Sequence, residues 1–195
     1  MSCWGRFSLT HFGCQGDLPS GSLQKSTGMG ERSMEIIRLN ESHSSEAGRL
    51  VAAFRCTLQS FKGIHEEPDA ESGREEILGY ISAGWPVFGA VEDGTLAGYI
   101  VCRIDEPNLW VEQIYVRDDF RRKGIASRLF EKAEELSASM GEDTVYNYVH
   151  PNNERMIGFL RSKGYTVLNM IEIRKPWKGE KLSTTVHVDD HEFDY

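Results

Sequence analysis

The sequence predicts an α/β fold, an α+β mixed sheet with antiparallel strands early, crossover units late and flanking helices. Three observations point there. From Met34 onward, apolar runs of strand length are interspersed with stretches of helical spacing. Two apolar runs flank Glu92-Asp93-Gly94, a hairpin signal. After residue 108, strand patterns alternate with single helical patterns, as in βαβ crossovers.

Taken in order, residues 1–33 are rich in Gly, Ser and polar side chains and hold no sustained periodicity. They read as a disordered or loosely attached leader. "MEIIRL" opens the folded domain at Met34 as a strand; Met29 and Met34 are candidate translation starts, a hypothesis that the intact mass of the native protein tests and a full-length mass would refute. Ser44 or Ser45 is placed to cap a first helix, in which Leu50, Val51, Phe54 and Leu58 fall at helical spacing. A second helix covers 69–83, with Ile77, Leu78 and Ile81 apolar. The hairpin follows, then strand 108–116, "NLWVEQIYV". A helix over 124–140 aligns Ile125, Leu129, Phe130, Ala133 and Leu136 on one face. Strand 144–149, helix 153–163 and strand 165–175, "YTVLNMIEIRK", complete a domain of residues 34–176. Residues 177–195 read as a mobile acidic tail, since "VHVDDHEFDY" has no Lys or Arg.

Composition narrows the function classes. The chain has 195 residues, 22 Lys plus Arg against 30 Asp plus Glu, and a net charge of −8. That size suits one domain, and the charge argues against a general nucleic-acid binder, which needs a broad basic face. No stretch approaches the ~18 apolar residues of a membrane span. The first residues, "MSCWGRFSLTHFGCQG", lack the continuous apolar core of a signal peptide. Cys3, Cys14, Cys56 and Cys102 form no CxxC pair and no zinc spacing. Cys56 and Cys102 sit in apolar segments and read as buried free thiols. A cytoplasmic protein without a metal is the expectation.

One local feature runs against the acidic balance. In "DDFRRKGIASRLFE", Arg121, Arg122 and Lys123 lead into Gly124 and a helix. The first N–H groups of a helix have no internal partner, and the helix dipole is positive there. Gly124 lets an anion approach the main chain. Together these form a pyrophosphate cradle. A Walker A loop is absent, and the nearest approach to a dinucleotide fingerprint, "GMGERS", lies in the leader with no strand before it. On loop composition alone, a solvated basic loop preceding a helix is an equal reading.

"VEQIYVRDDFRRKGIASRLF" resembles the central motif of the GNAT superfamily of acyl-CoA-dependent N-acetyltransferases: a strand, then [Q/R]xxGx[G/A], then a helix. Arg121, Arg122, Lys123, Gly124, Ile125 and Ala126 occupy the pattern, with Ala126 at its last position. "NNERMIGFLRSKGY" resembles the family's late Asn–helix–Gly-aromatic segment, with Asn153 and Gly164-Tyr165 in the matching places. The resemblance covers about residues 34–176 and implies a GNAT-like sheet and acetyl-CoA as co-substrate.

It also implies roles. Backbone amides from Arg121 to Ala126, with Ser127 at the helix start, would bind the pyrophosphate. The main chain of Ile114, Tyr115 and Val116 would lie beside the pantetheine arm, the Val116 N–H polarising the thioester carbonyl. Asn153 would contact the arm or cap its helix. Direct transfer needs an amine that has lost its proton, and Glu112, on a strand face shared with Ile114 and Val116 by period-2 alternation, is the candidate base. A carboxylate merely exposed or paired with an Arg is the other reading. The family often protonates the leaving thiolate with a Tyr, but Leu160 stands in that place. Either coenzyme A leaves without a dedicated acid, or Tyr146, Tyr148 or Tyr165 serves; Tyr148 is taken forward. His150 is a weaker catalytic candidate. His187 and His191 belong to the acidic tail rather than to a metal site, and Trp85 and Trp110 read as core or cleft walls. Phe61, His65, Glu66 and Glu67 lie where the family shapes its acceptor pocket. The implied activity is transfer of acetyl to a primary amine of a small molecule or protein; the alternative is a non-catalytic acyl-CoA-binding module. The acidic balance tolerates a cationic acceptor, and dimers are frequent in the family.

Overall fold

The computed structural model describes residues 34–182 and 184–195. The leader expected over 1–33, with Cys3, Cys14 and Met29, lies outside the described residues. The elements are β1 (Met34–Arg38), α1 (Ser44–Ser60), α2 (Ala70–Ser82), β2 (Val87–Glu92), β3 (Thr95–Asp105), β4 (Asn108–Val116), α3 (Ile125–Ser139), β5 (Tyr146–Asn147), α4 (Glu154–Ser162), β6 (Thr185–Val188) and β7 (His191–Asp194). The main sheet has the order β1-β2-β3-β4-β5. Its first four strands are antiparallel neighbours, and β5 joins β4 in parallel.

Helices cover both faces. Leu50, Val51 and Ile77 of α1 and α2 pack on Val87, Leu96, Tyr99 and Val101. Ile125, Leu129 and Phe130 of α3, with Leu160 of α4, pack on Ile100, Cys102, Leu109 and Val111. The central strand β3 is therefore buried from Leu96 to Cys102 without alternation, as a doubly covered strand must be. Burial pushes the Cys102 thiol up to about 12, which makes it inert; Cys56, expected to be buried, is only half-buried. The α1–α2 contact is close because it is made by glycines. A Cβ on Gly73 would stand 2.2 Å from the Gly48 carbonyl oxygen.

The β2–β3 turn is the expected hairpin, with Asp93 and Gly94 both at positive φ (51° and 76°). That pair of left-handed residues matches the twist of the flanking strands. Asp69 caps α2, its carboxylate accepting from the N–H groups of Glu71 and Ser72. The cap of the first helical segment differs from expectation. A 3-10 turn over Glu41–His43 runs straight into α1, and Asn40 caps it by accepting from the Ser42 N–H at 3.0 Å. Ser44 is buried instead.

Two expectations for the C-terminal part are overturned. Residues 165–175 are not in a strand, and Val167, Leu168, Met170 and Ile173 are exposed. Apolar, β-favouring composition does not supply a ladder partner, and β5 pairs with β4 over two residues only. The acidic tail is ordered as the β6–β7 hairpin, closed by reciprocal backbone bonds between Thr184 and Tyr195 at 3.0 and 2.8 Å. Its charge masked an alternation, since Val186, Val188, Phe193 and Tyr195 are the half-buried positions. Among the described residues, no helix is long and apolar enough to cross a membrane.

Candidate active site

The site begins where β4 and β5 part. They pair at Trp110↔Tyr146 and Val111↔Asn147, and β4 runs on alone from Glu112. On its other edge β4 stays paired with β3, with one irregularity. Gln113 faces Val101 and Val111 faces Cys102, so Glu112 has no partner. This is a β-bulge, which re-aims the side chains around it. Farther along, the Arg117 N–H donates to the Ala97 carbonyl at 2.9 Å. Antiparallel ladders alternate, so the N–H and C=O of Ile114 and Val116 point away from β3, into the open fork. The Val116 carbonyl there accepts from Arg121 Nε at 2.9 Å.

The bulge overturns the expected alternation that put Glu112 with Ile114 and Val116. Ile114 and Val116 pack under α3 together with Val111, while Tyr115 and Gln113 turn toward α1 and α2. The Glu112 carboxylate is 33% exposed and accepts from Arg103 Nε at 3.3 Å.

A cavity of about 50 Å³ fills the fork. Glu112, Tyr148, His150 and Asn153 line it, together with Phe54 and Leu58 of α1, Asn147 of β5 and Met156 of α4. Four residues singled out from the sequence, one on β4 and three between β5 and α4, thus converge. Tyr148 stacks on Trp110 at 4.6 Å and is 65% exposed, so its hydroxyl is reachable. Asn153 caps α4, its Oδ1 accepting from the Met156 N–H at 3.1 Å. His150 stacks on Phe61 at 5.3 Å. Its pKa is lowered by burial and by the Lys62 charge, so the ring is neutral. Its Nδ1 accepts from the Asn152 N–H at 3.2 Å. The neutral ring therefore carries its proton on Nε2, with its lone pair already engaged, and is poorly placed to act as a base. At the base of the fork, Trp110 Nε1 and Asn147 Oδ1 are buried without hydrogen-bond partners among the described residues. A larger groove of about 360 Å³, between β1 and α3, holds none of the candidate residues.

At the far end of β4 lies the basic loop. Gly124, at φ +81°, is the residue before α3, and no side chain caps that helix. The first helical bond runs from the Arg128 N–H to the Gly124 carbonyl at 3.1 Å, so the N–H groups of Ile125, Ala126 and Ser127 have no helical acceptor. Arg122 also takes a left-handed φ, +64°. The three basic side chains are not equivalent. Arg121 pairs with Asp118 at 2.5 Å and lies over the Tyr115 ring. Lys123 pairs with Glu92 at 3.2 Å. Arg122 makes no ion pair among the described residues.

Several candidates are set apart. Leu160 is 7% exposed within the core. Tyr165 packs edge-on against Phe130 at 5.2 Å and donates to Glu134 at 3.2 Å. Burial and the Glu134 charge push it up to about 12. Tyr146 lies against Trp110 at 4.9 Å, and Trp85 stacks on Tyr80 at 4.9 Å. His65, Glu66 and Glu67 are exposed. His187 meets Glu192 at 3.6 Å, and no metal-holding group of three His, Cys, Asp or Glu occurs among the described residues. Gln113, Asn147 and Met156 escaped the sequence reading. The signal for Gln113 was available, as an uncharged polar residue inside an apolar strand; Asn147 and Met156 had none.

Comparison with known proteins bears on the family and the fold. The Acetyltransferase (GNAT) family model matches residues 51–165, more than half of the chain. A curated relative, the uncharacterized N-acetyltransferase in the pepI 3' region of Lactobacillus delbrueckii subsp. lactis, is 34% identical over 82 residues. That match covers 38% of this chain and 47% of the relative, so the chain spans about half the length of the curated relative it matches. PaiA N-acetyltransferase from Thermoplasma acidophilum, solved with coenzyme A, superposes with a TM-score of 0.58 at 22% identity, over 67% of this chain and 88% of that one. Aminoglycoside N-acetyltransferase AAC(6')-Iy, solved with CoA, gives 0.57 at 18% identity, over 76% and 98%. Ribosomal-protein-alanine N-acetyltransferase from Brucella melitensis biovar Abortus 2308 gives 0.58 at 18% identity, over 74% and 100%. At these identities the structures show a shared fold. The family match runs through the forked strand, the basic loop, α3 and α4: the chain belongs to the GNAT acetyltransferase family.

Proposed function

We propose that this protein is an N-acetyltransferase that moves the acetyl group of acetyl-CoA directly to a primary amine of a small molecule or protein. One observation carries the reading. A single strand, β4, offers backbone groups at Ile114 and Val116 that point away from β3, an acidic residue lining a cavity at Glu112, and an uncapped helix N-terminus just beyond its end. The amides of Gly124 to Ser127, with Arg122, would hold the pyrophosphate. The fork would take the pantetheine arm, beside the backbone of Ile114, Tyr115 and Val116 and near Asn153. Arg121 and Lys123 act differently from a free cationic clamp: their ion pairs shape the loop, and their contribution is through the main chain.

In the transfer, Glu112 accepts a proton from the amine, the nitrogen lone pair attacks the thioester carbonyl carbon, and the Val116 N–H stabilises the developing oxyanion. The C–S bond then breaks and the thiolate takes a proton from solvent or from Tyr148, the candidate tyrosine that lines the cavity. The aminoglycoside and ribosomal-protein transferases of the same fold act on amines, which supports an amine acceptor without choosing its class. The acidic β6–β7 hairpin, joined to the cavity wall through Tyr195, favours a cationic one.

The buried Leu160 favours a second reading, a non-catalytic acyl-CoA-binding module. Thiol release from acetyl-CoA, measured across polyamines, aminoglycosides and N-terminal peptides beside thermal shift, decides between them. A stabilised protein with amine-dependent release is the enzyme. Stabilisation without release is the binding module. No stabilisation by acetyl-CoA or coenzyme A sinks both.

A further inference from the structure

Behind the cavity, on the α1–α2 face of β4, lies a closed polar network that no step of the transfer uses. Gln113 is 3% exposed. Its Oε1 accepts from Tyr99 Oη at 2.8 Å, and its Nε2 donates to Glu76 Oε1 at 2.6 Å and to Tyr80 Oη at 3.1 Å. Tyr80 Oη donates in turn to Glu76 Oε1 at 2.8 Å. Arg55 closes the set, Nε donating to Glu76 Oε2 at 2.9 Å and Nη2 to Oε1. One carboxamide on β4 is thereby tied to α1, α2 and β3 at once.

Gln113 is also the residue directly after the bulge at Glu112. A bulge is one residue without a ladder partner, and sliding it by one position flips the faces of the residues it passes. If Gln113 became the unpartnered residue, its carboxamide would leave the network. Tyr99 Oη, fully buried, would lose its acceptor, and the Glu76 carboxylate would lose a donor. Both losses oppose the slide, because buried polar groups left unpaired are costly. We propose that Gln113 is a positioning residue: the Tyr99–Gln113–Glu76 network locks the β4 bulge and so holds the Glu112 carboxylate in the cavity. This rests on reading Glu112 as the base.

The test is a double-mutant cycle read by thiol release. Gln113→Met keeps the length of the side chain and removes its hydrogen-bonding groups. It is expected to lower kcat about 10- to 100-fold, part of what a general base supplies, while the acetyl-CoA thermal shift stays at the parent value. In the Glu112→Gln background the same change should cost less than ~2-fold, since the group being positioned is gone. An equal loss in both backgrounds, or no loss in either, overturns the proposal. Should Gln113→Met fail to fold, Tyr99→Phe removes one bond of the network and carries the same cycle with a smaller loss. Full turnover by Glu112→Gln would remove the base assignment alone. The lock is then read from amide hydrogen exchange in β4: faster exchange at Gln113 and Tyr115, whose N–H groups face β3, in Gln113→Met sustains it, and unchanged exchange refutes it.

Discussion

The Tyr195 ring stands edge-on to the His150 imidazole, with centroids 5.0 Å apart and planes at 70°. His150 is itself stacked on Phe61, and Asn152 Nδ2 donates to the Phe61 carbonyl at 3.3 Å. The α1–α2 loop and the C-terminal hairpin thus meet at His150, a lining residue of the cavity on the β5–α4 loop, although they lie far apart in sequence.

An edge-on aromatic pair is worth about 0.5–1.5 kcal/mol. Tyr195→Ala should therefore raise the KM for the amine by about 2- to 10-fold, and leave the thermal shift by acetyl-CoA unchanged. Steady-state kinetics with each substrate varied in turn checks this; a rise confined to acetyl-CoA would place the hairpin elsewhere.

Removing the candidate base should act on turnover. Glu112→Gln keeps the size of the side chain and loses its basicity, so kcat near neutral pH should fall about 100-fold or more. The thermal shift by acetyl-CoA should persist, because the carboxylate is not part of the pyrophosphate cradle.

The loop can be tested independently of the chemistry. A Cβ at Gly124 meets no atom within 4 Å, but its φ of +81° is a conformation that costs other residues roughly 1–2 kcal/mol. Gly124→Val should lower stability by about that much and largely abolish the acetyl-CoA shift. Arg122→Ala should weaken the shift at unchanged stability, whereas Arg121→Ala should lower stability through its lost bonds to Asp118 and the Val116 carbonyl.

Acid should destabilise the protein through Glu76. Burial pushes its carboxyl up, but hydrogen bonds from Arg55, Tyr80 and Gln113 outweigh that and hold it below the ordinary carboxylate value. A pKa depressed on folding contributes stability above the unfolded value of about 4.3, and loses it as pH falls through the folded value. Denaturant titrations from pH 7 downward should show stability declining below about pH 5, with a shallower decline in Glu76→Gln.

Leu160 is a core residue and not a displaced acid. Leu160→Ala should cost about 2–5 kcal/mol in denaturant unfolding, and Leu160→Tyr, which overpacks the core, should not raise kcat.

Much of this architecture was legible in the letters. Helices α1 to α4 follow from apolar spacing, and the Asp93-Gly94 turn from residues that accept positive φ. The segment 165–175 misled because its apolar content reports a preference for strand and not a partner. The hairpin at 184–195 was hidden behind its acidic charge. Tyr146, Tyr148 and Tyr165 looked alike in sequence, and their neighbours separated them: Trp110 beside the cavity for the first two, Phe130 and Glu134 in the opposite layer for the third.

The amino-acid order by itself determined the strand–loop–helix unit and its candidate anion site, because glycine conformation, helix N-terminal amides and loop charge are properties of neighbours along the chain. Only the tertiary structure decided where β4 bulges, that Glu112 meets Arg103 at the cavity while the neighbouring Gln113 is tied into a buried network, and that Arg121 and Lys123 are occupied by Asp118 and Glu92. Strand register and ion pairing are settled by groups brought together from distant positions, and a local pattern cannot carry that information.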